Sequence, residues 1–436
     1  MSVPSGRRLS TLLLVLALVG APAVALRAAC VGNSCDDETT ASVRVPFCPL
    51  PAALRGLIAA GFRDGRSPDV MGATDPGGEL TATVDGTSVA WPSTGGAPDT
   101  TVPILFFGTG VTPGAVPAGT GLDQIAPTIE TILGLHRPHP EVRAGTAVAG
   151  VASGARPRLV VEIGLEGVGA AELAATPRAW RILRDRATGG AATWRGTTGS
   201  VPLDPIATLT TIGTGALPSQ HGITGAVIRR DDGRVVRAWT KAAPPSVVST
   251  LPDDLDHLLG GRPRIALVAD DVSDRGLVGG TWYLSATPDD IRLGKDPVET
   301  VRSLVEAGYG ADDTPDVIGV VLHGSLGPMT HAVGAIASAV RRAGVPTTFV
   351  VAGTGSTSAA DIGIDVAGAI DTLATGRPLV ASTVAGGVFL DRTVMDGTEV
   401  TSDDVVRVMR GLRAPDGEPL FADAFPAFAV SFSRYC

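Results

Sequence analysis

The chain has 436 residues, 44% hydrophobic and 18% charged, with a formal net charge of -9. That length permits two or three domains, or one large α/β domain. No Lys/Arg stripe runs along it, which argues against a nucleic-acid partner, and 56 Gly with 33 Pro stay below the level of low-complexity sequence.

The N-terminus reads as a secretory signal over residues 1–25. Arg7 and Arg8 precede an apolar run at 11–19, and Ala21-Pro22-Ala23-Val24-Ala25 supplies small residues for cleavage. The run is short and interrupted, and no later segment has 18 uninterrupted apolar residues, so no membrane span is expected. Cys30 suggests a lipid anchor, but Arg27 stands where that signal wants Leu, which favours ordinary cleavage. The expected location is secreted or extracytoplasmic. The four cysteines, Cys30, Cys35, Cys48 and Cys436, are an even set in an exported chain and favour disulfides over metal ligation.

Residues 158–167 (RLVVEIGLEG) predict a buried strand ending in Gly. A helix is expected over 170–187, with Pro177 near its early turns, and a second over 205–213. Pro205 is acceptable there because a first-turn N–H is unpaired anyway. Strands are expected at 264–270, 316–322 and 347–353, with a helix over 329–343. Strands alternating with helices predict an α/β fold: three layers, a doubly wound and mostly parallel sheet with helices on both faces.

The segment VPLDPIATLTTIGTGALPSQHGITG (201–225) carries a motif. Thr214-Gly215, Pro218 and His221-Gly222-Ile223 resemble the nucleophile segment of the alkaline phosphatase superfamily, in particular its phosphodiesterase/nucleotide pyrophosphatase branch. Residues 54–71 and 102–135 resemble late segments of that family, the second with its helix start at Asp123, Ala126, Pro127 and Thr128. Here these pieces come first. The resemblance therefore implies a circular permutation in which 31–150 is the family's C-terminal part, 151–158 a joining linker, and 159–436 the N-terminal and central part. The mature chain, 26–436, is then one domain; the rival reading is a tandem of two fragments. Permutation puts 102–108 in the same sheet as 158–164 and 347–353. It also implies disulfides Cys48–Cys436 and Cys30–Cys35, against the alternative of Cys35–Cys48.

Active relatives use a Thr or Ser nucleophile and two divalent metals, usually zinc, held by carboxylates and imidazoles at strand ends. At the nucleophile position this chain has Pro205, which has no hydroxyl and cannot attack phosphorus. Glu166 replaces the first Asp. In VVLHGSLGP, Val320 and Gly324 replace an Asp and a His, and His323 is displaced by one residue, which on an extended backbone turns it to the other face. Gly353 and Thr354 occupy the positions of an Asp-His pair, and Ser93 or Thr94 that of the last His. Glu166 and His323 remain as the candidate metal ligands, too few for a zinc site, so no metal or cofactor is expected. His331 is a further helical candidate. Asp204 adjoins Pro205 and is a candidate for the pocket mouth. Thr208, Thr210 and Thr211, or the acidic cluster Asp270, Asp271 and Asp274, could rebuild a centre, while His221 reads as structural.

The sequence thus suggests a secreted, catalytically inactive relative of that fold, a pseudoenzyme that binds a small anionic ligand or a protein partner in a remodelled cleft. The N-terminus of the 205–213 helix would offer backbone N–H groups to an anion. The alternatives are a divergent hydrolase of phosphate or sulfate esters with a rebuilt centre, and a purely structural or interaction protein.

Overall fold

The computed structural model describes residues 45–436, except 77, 85–86, 95–99, 281–289 and 357–360. Its organising strand is Leu159–Leu165, buried at every position, as an apolar run inside a parallel sheet must be. That strand pairs in parallel with Asp316–Leu322 on one side and Thr347–Gly353 on the other. Beyond Asp316–Leu322, strands Ile265–Ala269 and Asp290–Leu293 continue the parallel run. Beyond Thr347–Gly353, the strand Thr101–Gly108 runs antiparallel, followed by Gly190–Thr197 and the short edge strand Gly114–Ala115. The result is an eight-stranded, mostly parallel sheet.

Helices cover both faces. Leu209 and Ile212 of helix Pro205–Thr214 pack on one face with Ile125 and Ile129 of helix Ile125–Leu133. On the other face, Val301 and Leu304 of helix Pro297–Glu306 pack with Val333 and Ile336 of helix Leu326–Arg342. Two apolar cores on either side of one sheet make the expected three-layer α/β architecture. As expected, 102–108 lies in the same sheet as 158–164 and 347–353.

The single helix expected over 170–187 is two, Ala170–Ala175 and Arg181–Ala187. Pro177 explains the break: it disfavours helical geometry at the residue before it, and Thr176 leaves the helix at φ -130°, ψ 62°. The sequence reading did not anticipate a second, four-stranded antiparallel sheet. Its strand order is Val380–Val384, Gly387–Leu390, Val70–Thr74, Phe421–Pro426. Here an early strand pairs with a late one, Val70 facing Pro426 and Met71 facing Phe425. The expected Cys48–Cys436 disulfide closes the same region, with Cα atoms 5.1 Å apart; such bonds belong to oxidising compartments. Cys30 and Cys35 lie outside the described residues. Among those residues, no helix is long and apolar enough to cross a membrane.

Candidate functional site: an acidic pocket at the strand ends

Leu165 and Leu322 are register partners at the carboxyl ends of adjacent parallel strands. The residues that follow, Glu166 and His323, therefore leave the sheet side by side, where α/β folds build their sites. Asp274 comes from the 3-10 helix Val272–Leu277 beyond the next strand. The His323 ring lies between the two carboxylates: Nδ1 is 2.6 Å from Glu166 Oε2, and Nε2 is 3.1 Å from Asp274 Oδ2. This corrects the expectation that one residue of displacement turns His323 away. The strand has ended at Leu322, and Gly324 adopts φ +102°, so strict two-residue alternation no longer applies.

Burial by itself lowers the His323 pKa, but hydrogen bonds and charge from Asp274 and Glu166 outweigh it and push the ring up to about 10. The imidazole is then a cation at neutral pH, donating from both nitrogens. Burial raises the Asp274 carboxyl, with His323 opposing that shift.

Helix Pro205–Thr214 points its N-terminus at the same pocket. Asp204 is its N-cap: Oδ1 accepts the N–H groups of Ile206 at 2.9 Å and Ala207 at 3.3 Å, and Oδ2 accepts that of Ala226 at 2.9 Å. Pro205 contributes no N–H. The expected anion site at this helix start is thus filled by the chain's own carboxylate. Burial pushes Asp204 up to about 6, its backbone donors oppose the shift, and repulsion from Glu166 adds to it.

The pocket brings together four carboxylates, Glu166, Asp204, Asp271 and Asp274, with His323, Ser273 and Pro205. It leaves about 50 Å³ for water-sized occupants, enough for a few waters or a small polar group. Asp271 accepts from the Ser273 N–H and hydroxyl, both at 2.8 Å. Asp270 instead lines a neighbouring cleft that shares His323. The acidic cluster at 270–274 was visible in sequence. Which of its members reach the pocket depends on the turn of the 3-10 helix, and that was not legible.

Gly324, Gly353, Thr354, Ser93 and Thr94 do not line the pocket. A Cβ at Gly353 would lie 2.0 Å from Val168 O, so no donor side chain fits that backbone. Thr354 Oγ1 accepts the Gly167 N–H at 3.0 Å. Ser93 and Thr94 hydroxyls donate to Thr74 O at 3.4 and 3.3 Å. Thr208, Thr210 and Thr211 are buried, donate their hydroxyls to the carbonyls of Asp204, Ile206 and Ala207, and do not line the pocket. His221 is buried; its Nδ1 accepts the Ile223 N–H, its Nε2 meets Thr211 Oγ1, and burial lowers it to about 3. That is a neutral structural imidazole, as its motif suggested. His331 lines a separate groove with Ile182 and Arg186.

A two-zinc centre does not fit this donor set. The donor atoms of Glu166, Asp274 and His323 lie within 4.8 Å of one another. Both ring nitrogens, however, face carboxylates rather than a common point, and a tetrahedral site wants three or four donors converging at about 2.0–2.3 Å.

No protein-family model matches the chain, and no curated protein matches it. Among solved structures it is similar to wild-type alkaline phosphatase PafA, at 13% identity and a TM-score of 0.41, over 59% of this chain and 76% of that one.

Proposed function

We propose that this chain is an exported, circularly permuted protein of the alkaline phosphatase type that no longer hydrolyses esters. In this reading its cleft is held by a carboxylate–imidazolium–carboxylate bridge in place of metal ions. The observation that carries the proposal is the start of the 205–214 helix. Pro205 offers no hydroxyl, and Asp204 takes the Ile206 and Ala207 N–H groups. A phosphoryl group would meet a carboxylate where hydrolysis needs an electrophilic cradle and a nucleophile.

The pocket's charge also bears on its ligand. Four carboxylates line it against one imidazolium, so a cationic or neutral polar group fits better than the anion the motif implied. The pairing of early and late strands in the small sheet, and the Cys48–Cys436 bond, support the permutation, because they join segments that would once have been continuous.

A second reading is a rebuilt hydrolytic centre. It is favoured by Ser273, whose hydroxyl sits in the pocket 2.8 Å from Asp271 Oδ1. In that case a serine-directed fluorophosphonate would label Ser273. Equilibrium dialysis against zinc tests the main proposal: less than one ion per chain is expected. Two tightly held ions per chain would overturn it.

A further inference from the structure

A second concave region lies at the opposite end of the central sheet. Strand Thr347–Gly353 finishes on the side of the acidic pocket, where Gly353 is the register partner of Leu165. Its first residue, Thr347, lines a groove of about 580 Å³. Six steps along the strand, about 20 Å, separate these two ends. The volume is in the range of small-molecule sites. An adjoining hollow lies between helices Arg181–Ala187 and Leu326–Arg342, and Asp185 and Arg186 line both.

The groove combines an apolar wall with two cations. Phe107 and Phe349 line it together; their rings stack with centroids 4.8 Å apart and planes 11° from parallel. Arg186 reaches it from the end of one helix and Arg341 from the end of the other. Arg341 Nη2 donates to the Ser338 hydroxyl at 3.3 Å, and among the described residues neither guanidinium makes an ion pair. Elsewhere on the surface Arg158, Arg302 and Arg407 each hold an acidic partner. Burial lowers the Arg186 pKa and the Arg341 charge lowers it further, with Asp185 opposing. Two guanidiniums thus stand close enough to repel each other, in a chain whose net charge is -9.

The geometry points to a binding site for a small organic oxyanion, its phosphonate, phosphate or sulfate group held between Arg186 and Arg341 and its apolar body against Phe107 and Phe349. A guanidinium presents a planar fork of donors that matches such oxygens. An anion placed between the two arginines also removes the repulsion that the free protein bears. Asp185, the one acid lining the groove, weakens binding of the same ligand. The site stands apart from the acidic pocket, whose carboxylates repel anions, and does not depend on what that pocket does.

The test is isothermal titration of the full chain with phenylphosphonate. Its phosphorus–carbon bond is not an ester, so the readout is independent of any hydrolysis. Wild type is expected to give saturable one-site binding, and uncharged benzyl alcohol none. Arg186→Gln and Arg341→Gln, with their fold checked by circular dichroism, should each weaken binding about tenfold, the loss of one charge-assisted contact. Asp185→Asn should tighten it, a gain that damage to the fold would not produce. Absence of saturable binding by wild type would overturn the inference, and so would equal affinities of wild type and both glutamine variants.

Discussion

His323 Nδ1 lies 2.6 Å from Glu166 Oε2 while its Nε2 lies 3.1 Å from Asp274 Oδ2, so one ring bridges carboxylates from two segments that share no local sequence. Adjacent parallel strands deliver Glu166 and His323 together, and a 3-10 turn swings Asp274 in to meet them. The bridge neutralises charge that desolvation would otherwise penalise.

The bridge should stabilise the fold in a pH-dependent way. Burial alone would lower His323, but its two carboxylate partners raise it to about 10, against roughly 6.5 in an unfolded chain. Its contribution is therefore fully present below about pH 6.5 and is lost as pH rises through 10. His323→Gln should cost on the order of 1–2 kcal/mol at pH 6, a figure discounted for the ring's partial exposure. The deficit should shrink above pH 10. Urea denaturation across that range measures it; a pH-independent deficit would contradict the charged bridge.

Glu162 should oppose stability at neutral pH. It is buried in the central strand, and among the described residues neither carboxyl oxygen has a hydrogen-bond partner. Burial pushes it up to about 8, with Arg137 opposing. An unfolded chain ionises this group near pH 4.3, so its contribution to stability falls between about pH 4.3 and 8. Glu162→Met should raise stability by a few kcal/mol at pH 8, since each pKa unit is worth about 1.4 kcal/mol, and by much less at pH 4. Equal gains at both pH values would show that the carboxyl has a partner.

Asp204→Ala should cost about 1–2 kcal/mol, because it removes a helix cap and also leaves the Ala226 N–H without its carboxylate acceptor. Asp204→Ser should recover part of this by capping the helix without reaching Ala226. Thermal unfolding of the three proteins checks the order; an Ala variant as stable as wild type would exclude the capping role.

The Cys48–Cys436 bond closes a loop of 388 residues in sequence. The double variant Cys48→Ser, Cys436→Ser should lose about 2–5 kcal/mol. Exchange at the backbone amides of 427–435 should speed up first, since the 3-10 helix Ala427–Tyr435 is tied there. Hydrogen-exchange mass spectrometry reads this; uniform protection would mean that the buried Ala427, Ala429 and Val430 hold the helix unaided.

Much of the large sheet was legible because its strands are short apolar runs bounded by Gly and polar turns. Asp316–Leu322 and Thr347–Gly353 match their expected limits, and Leu159–Leu165 starts one residue later and ends two residues earlier than expected. The small sheet was not, because Val380–Val384 is half-exposed and lacks a clear period. Of the pocket, Glu166, Asp204, Pro205 and His323 could be placed from motif positions. What failed was direction: a glycine with positive φ after the strand decides where His323 points, and a cap decides that Asp204 fills the helix start rather than leaving it open. Neither follows from residue type alone.

The central claim is that this cleft no longer performs ester hydrolysis, and the most direct measurement is turnover of the purified protein. p-Nitrophenyl phosphate and bis-p-nitrophenyl phosphate should be assayed with added zinc, and again after chelation. The account predicts release of p-nitrophenol no faster than in buffer under either condition, because Pro205 supplies no hydroxyl and both His323 ring nitrogens are engaged by carboxylates. Zinc-dependent turnover that chelator abolishes and Glu166→Gln eliminates would contradict it.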